Sequence, residues 1–146
     1  MITPKATVKF SNFGHLLEDG KFGQDTKYIG TLVFPEDADL EGVEAEAHRA
    51  WEAKFPGQPI GTDPFSEFEG QLQLRVKSKT KPKVIDRDLT MIEDVEEFDG
   101  KVVKAAVSAR AWEFAGKRGV SFSISALQLF ADETLERDPT ADFVAE

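Results

Sequence analysis

Polar and apolar positions alternate through the first half of residues 71–87, QLQLRVKSKTKPKVIDR. Leu72, Leu74 and Val76 fall in one register and Gln71, Gln73, Arg75, Lys77 and Lys79 in the other. This is the period of a strand with one face in a core and the other in water. Because successive side chains project to opposite faces, Arg75, Lys77, Lys79 and, where the chain stays extended, Lys81 and Lys83 form a cationic row spaced about 6 to 7 Å apart. That spacing is comparable with the phosphate repeat of an extended nucleic-acid strand.

Residues 7–13 (TVKFSNF) and 28–34 (YIGTLVF) are rich in β-branched and aromatic side chains and also predict strands. The segment between them is punctuated by Gly14, Gly20 and Gly23. From residue 39 the period changes: Leu40, Val43, Ala47, Ala50, Trp51 and Phe55 fall at helical spacing, with Glu41, Glu44, Glu46, Arg49 and Glu52 opposite them. An amphipathic helix of about four turns follows, capped by Asp37 or Asp39 and ended by Pro56 and Gly57. Prolines 56, 59 and 64 with glycines 57, 61 and 70 predict a long ordered loop over 56–70. Beyond Pro82, residues 84–100 predict a short helix or turn at best, closed by Asp99 and Gly100.

Residues 101–114 (KVVKAAVSARAWEF) alternate again, with Val103, Ala105, Val107, Ala109 and Ala111 on one face and Lys104, Ser108, Arg110, Trp112 and Phe114 on the other. A turn over 115–119 (AGKRG) leads into residues 119–130, where Val120, Phe122 and Ile124 alternate with Ser121, Ser123 and Ser125, as in a half-exposed hairpin partner. Five strands, one helix and a Gly/Pro-rich insert point to a mostly β fold, a small barrel whose closure hides its strand edges. Residues 131–146 hold six acids against Arg137 and little periodic apolar content, the composition of a disordered acidic tail. The expected organisation is a domain over 1–130 and a tail over 131–146.

Charge sharpens this picture. The chain of 146 residues carries a formal net charge of -9, yet residues 71–87 hold six Lys/Arg against Asp86 alone, a local +5, so the remainder sums to -14. With no cysteine, neither a disulfide nor a thiolate metal site can form. No stretch approaches the ~20 apolar residues of a membrane span, and the expected location is cytoplasmic. His15 and His48 have no partner at metal-ligand or triad spacing, and neither a P-loop nor a nucleophile elbow occurs. Asp86, Asp88, Glu93 and Asp94 could hold Mg²⁺ for a nuclease, although inter-strand turns are routinely acidic. A lysine-rich strand face can equally serve to prevent edge pairing. Against that, Lys104 and Arg110 share a face with Trp112, and Lys117 and Arg118 follow in the turn. Cations that track phosphates beside a ring that stacks on any base are what a single-strand binder needs. Trp112 as a plug of the barrel interior is the competing reading.

The stretches KYIGTLVFPED, RVKSKTKPKVID and EEFDGKVVKAAVSARAWEFAGKRGVSFSISALQLF resemble the bacteriophage OB-fold single-stranded-DNA-binding proteins, over about residues 27–130. The resemblance implies a non-enzymatic OB-fold protein that coats single-stranded DNA in phage replication and recombination without a cofactor or metal, in the cytoplasm of an infected host cell. It also implies DNA contacts at Arg75, Lys77, Lys79, Lys81, Lys83, Lys104, Arg110, Lys117 and Arg118, with Trp112 added from its pattern. An acidic tail that engages replication or recombination proteins would involve Asp138, Asp142, Phe143 and Glu146. A homodimer is compatible with this pattern. In the common OB order the helix follows the third strand, whereas here it precedes the basic strand; either the topology is a variant or the strand count differs. A protein-interaction barrel, such as a virion component, is the alternative from another functional class.

Overall fold

The computed structural model describes residues 1–9, 28–61, 63–68, 71–92, 98–130 and 133. Within them the elements run β1 (Ala6–Lys9), β2 (Tyr28–Val33), α1 (Glu41–Lys54), β3 (Phe65–Phe68), β4 (Gln71–Ser78), β5 (Lys83–Asp86), β6 (Val102–Phe114) and β7 (Lys117–Phe130). One sheet takes the order β3-β4-β2-β1-β6-β7-β5, and a further pairing of β4 with β7 closes it. A five-stranded barrel of β1, β2, β4, β7 and β6 results, flanked by β3 and β5. The closing pair is parallel, with Val76 opposite Phe122 and Lys77 opposite Ser123, while the other barrel pairs are antiparallel. The helix lies between the second and third barrel strands, so the basic strand is the third and the variant topology is the one adopted.

The alternating patterns fold as their periods require. Leu74 and Val76 of β4, Val103, Ala105, Val107, Ala109 and Ala111 of β6, and Val120, Phe122 and Ile124 of β7 all enter the core. Val43, Ala47, Ala50 and Trp51 of α1 are buried with them, and the helix packs against β6, where small inward side chains keep the wall thin. The Trp51 indole N–H donates to the Gln58 carbonyl at 2.8 Å, which satisfies its one polar atom inside the core. Asp39 accepts the Glu41 N–H at 3.1 Å, although Leu40 occupies the N-cap position itself. Gly61 passes so close to β7 that a Cβ there would lie 2.3 Å from the Arg118 carbonyl oxygen, so this position excludes every other residue.

A second tie joins helix to barrel. Glu46 receives Arg49 Nε at 2.6 Å and Arg49 NH2 at 2.9 Å, and its Oε2 also accepts the Ala109 N–H of β6 at 3.0 Å. The Arg49 hydrogen bonds, helped by the Ala109 N–H and opposed by burial, pull the Glu46 carboxyl from 4.5 down to about 2.

Four expectations need correction. The segment 56–70 is not all loop, because Phe65–Phe68 pairs antiparallel with β4, Phe68 opposite Gln71. Nor do residues 84–100 lack a strand: β5 runs parallel to β7, Lys83 opposite Ala126 through Asp86 opposite Leu129. The cationic row is not one extended strand, since β4 ends at Ser78 and the chain bends over residues 79–82, with Pro82 buried, before β5 begins. The hairpin turn is only Ala115 and Gly116, both at positive φ (53° and 80°), the two-residue geometry whose twist suits antiparallel strands. Lys117 and Arg118 therefore belong to β7. Of the expected strand 7–13, residues beyond Lys9 lie outside the described residues, as do His15, Glu93 and Asp94. Of the tail, including Asp138, Asp142, Phe143 and Glu146, only Glu133 is described. Among the described residues, no helix is long and apolar enough to cross a membrane.

Candidate nucleic-acid interface

Barrel closure turns three strand faces toward one another. Pairing of Lys77 with Ser123, of Ser123 with Ser108, and of Arg110 with Ser121 places the outward side chains of β4, β7 and β6 in adjacent columns. Between them is a cleft of about 540 Å³ lined by Lys77, Ser78, Lys79, Arg110, Trp112, Ser121 and Ser123. Its cations come from β4, the bend just after it and β6, and two of its three serines, Ser121 and Ser123, come from β7. The floor stays low because alternation gives the outward face of β7 small residues, Gly119, Ser121 and Ser123.

Trp112 is half-buried and lines this cleft, which overturns the plug reading; the tryptophan in the core is Trp51, 2% exposed. Gly119 opposite Trp112 has no side chain to cover the ring. Lys77, Lys79 and Arg110 are exposed, and among the described residues none has an acidic partner. Three positive charges and one aromatic face therefore converge on a polar floor, ready for an anion with flat apolar groups attached.

The other expected contacts are dispersed. Arg75 is exposed on β4 opposite Thr31 of β2, two residues from Lys77 on the same face. Lys81 is exposed in the bend and Lys83 at the start of β5. Lys104, half-buried, pairs with Gln128 near the far end of β7, away from the cleft. Lys117 is exposed opposite Phe114, whose side chain is 78% exposed beside the turn. Arg118 belongs to the opposite face of the hairpin: it donates to Glu113 at 2.8 Å and to the Gln58 side chain, and its guanidinium lies 4.7 Å from the Phe55 ring centre. These contacts hold the loop after α1 against β7 and spend the charge of Arg118 locally. Ser78, Ser121 and Ser123 line the cleft without having been singled out. The serine alternation of β7 signals Ser121 and Ser123 as outward positions, whereas Ser78 closes β4 with no signal of its own.

Of the carboxylate candidates for a metal, only Asp86 and Asp88 are among the described residues. Asp86 Oδ1 accepts the N–H groups of Asp88 at 2.8 Å and Thr90 at 2.9 Å, so it organises its own turn. Among the described residues no cluster of three His, Cys, Asp or Glu suited to a metal occurs.

The family described as "Enterobacter phage Enc34, ssDNA-binding protein" matches residues 3–141. The fold is similar to that of the single-stranded DNA-binding protein from bacteriophage Enc34 in complex with ssDNA, with a TM-score of 0.74 at 13% identity, covering 90% of this chain and 86% of that one. It is similar also to a second structure of the single-stranded DNA-binding protein from bacteriophage Enc34, with a TM-score of 0.67 at 15% identity over 97% and 87% of the two chains. A third similar structure is gp2.5, a single-stranded DNA-binding protein encoded by bacteriophage T7, with a TM-score of 0.61 at 22% identity over 100% and 97%. At these identities the structures speak for the fold, an OB-type barrel. No curated protein matches the chain.

Proposed function

The chain belongs to the phage Enc34-type family of single-stranded-DNA-binding proteins, a family of binders and not of enzymes, and on that premise we propose that it coats single-stranded DNA without sequence preference during phage replication and recombination. One observation supports this most: Trp112 shares a cleft with Lys77, Lys79 and Arg110, which lack acidic partners among the described residues. Lysine and arginine bind phosphates whatever the base, and an aromatic face stacks on any base, so neither contact reads sequence. Lys117 and Arg75 extend the cationic surface at either side, and Lys81 and Lys83 flank the path. The binding needs no cofactor or metal. Residues 131–146, with a net charge of -5, are a tail for replication or recombination proteins, with Phe143 as an apolar anchor among Asp138, Asp142 and Glu146. The site of action is the cytoplasm of the infected cell.

The experiment is a mobility shift with labelled single-stranded and duplex oligonucleotides, with and without Mg²⁺. A shift of the single strand alone is expected. No shift would favour a protein-interaction barrel, and cleavage dependent on Mg²⁺ would favour a nuclease.

A further inference from the structure

Beyond Ser123 the outward face of β7 continues with Ser125, Ala126, Gln128 and Phe130. A bulge opposite Ala106 and Val107 puts Ser125 and Ala126 together on that face. Lys83 of β5 pairs with Ala126 from one side, and Lys104 of β6 pairs with Gln128 from the other. The low floor of the cleft thus runs on for roughly 15 to 20 Å, at about 3.3 Å per residue, with a cation on each flank. It ends at Phe130, which does not join the core cluster yet is only 8% exposed. What covers it is positive: Lys5 Nζ lies 4.4 Å and Arg87 Cζ 5.7 Å from its ring centre.

Two like charges over one ring repel each other unless an anion sits between them. Among the described residues that anion is Glu133, whose Oε1 is 2.7 Å from Lys5 Nζ and whose Oε2 is 2.9 Å from Arg87 Nη2. Glu133 is not the only contact that holds the cations. Cation–π attraction to Phe130 holds both, Gln128 Nε2 donates to the Arg87 carbonyl at 3.4 Å, and Lys5 directly precedes β1. A carboxylate bridging two cations through separate oxygens occupies the place of two oxygens of a phosphodiester. Its ion pairs are partly exposed, the class that yields readily to a competing anion.

We propose that Lys5 and Arg87 form a second phosphate-binding site for single-stranded DNA, reached along β7 from the Trp112 cleft, and that Glu133 is its internal occupant, displaced when a strand is long enough to arrive. The inference rests on the single-strand-binding reading of the cleft. It gives Lys83 and Lys104 a place on the path between two sites, although neither lines the cleft. It also makes the root of the acidic tail sensitive to strand length: a short strand leaves Glu133 seated, whereas a long one releases it.

The test measures binding of the full chain to oligothymidine of about 5 and about 15 nucleotides, within the range of single OB units. Glu133→Gln is expected to tighten the long strand severalfold and to leave the short one unchanged, a gain that partial unfolding cannot imitate. Lys5→Gln with Arg87→Gln is expected to weaken the long strand about tenfold and to lower its salt slope by about 1.4, two contacts at roughly 0.7 each, with the short strand unaffected. If both oligonucleotides bind the native protein but Glu133→Gln changes neither, or if the variants alter short and long strands alike, the second site is refuted while the cleft stands. If the native protein binds neither strand, the single-strand-binding reading falls and this inference with it.

Discussion

Replacing Lys77 and Lys79 by alanine removes two of the three cations of the cleft while leaving Arg110 and Trp112 in place. Adding Lys117 and Arg75, exposed on the same outward surface, gives five cations within reach of a bound strand. At about 0.7 counterions released per phosphate contact on a single strand, five contacts give a slope of log K against log[salt] near -3.5, and three give about -2. Over a tenfold rise in salt the native protein should lose about 3.5 orders of magnitude in affinity and the variant about 2. Both side chains are exposed and unpaired among the described residues, so the substitutions should change stability by no more than about 0.5 kcal/mol. Fluorescence anisotropy of a labelled oligothymidine, titrated at several salt concentrations, reads the slope directly, and a thermal melt checks the fold. A folded double variant with the native slope would remove the β4 face from the binding surface. A lower affinity with an unchanged slope would mean that these lysines act on packing and not on phosphates.

Three further outcomes follow from the same geometry. Trp112→Ala should weaken binding by about 1–3 kcal/mol, Trp112→Phe should keep much of that, and oligothymidine should quench Trp112 emission, while buried Trp51 stays silent; loss of the fold in Trp112→Ala would contradict a stacking role. Glu46→Gln should destabilise the domain by about 1.5–3 kcal/mol at neutral pH, the range for hydrogen bonds to a charged group. Because the Glu46 pKa is lowered from 4.5 to about 2 on folding, its contribution is complete above pH 4.5 and is lost as pH falls toward 2, so urea melts of the two proteins should converge over that window. Deleting residues 131–146 should tighten DNA binding most at low salt, where a tethered polyanion competes best for the cationic surface; equal affinities there would exclude competition.

The long strands were legible because a half-buried strand must alternate, and β4, β6 and β7 each carry several apolar positions in register. The short ones were not. Phe65–Phe68 and Lys83–Asp86 offer four residues each, flanked by proline or glycine, too few to show a period. Both become strands only through a partner: β3 by folding back on β4, and β5 by lying parallel to the end of β7, where each paired residue is 43 positions later in the chain. The β4–β7 contact that closes the barrel is equally non-local, and it alone decides which cations meet. Lys104 and Arg110 share a face of β6 in the sequence, but six residues of strand put them about 20 Å apart, so only Arg110 reaches the cleft. Arg118 is a different case, because its parity with Val120 already places it on the face away from Trp112. Extending the turn to residue 119 concealed that parity, and the two-residue turn restores it.

A chain with a net charge of -9 that binds a polyanion must do so at short range, and salt decides what counts as short. At about 0.15 M the Debye length is ~8 Å, so a phosphate in the cleft senses Lys77, Lys79 and Arg110 while most of the charge of -14 outside residues 71–87 is screened. At about 0.01 M the length reaches ~30 Å, comparable with the barrel itself, and the acidic remainder opposes the same phosphate. Counterion release predicts a straight line on the log–log plot; repulsion from the rest of the molecule bends it. The expected curve therefore flattens at the lowest salt, and removing the -5 of residues 131–146 should restore part of the lost slope. A line that stays straight to about 0.01 M in the full chain would show that the acidic surface lies too far from the bound strand, or is too well compensated locally, to be felt there.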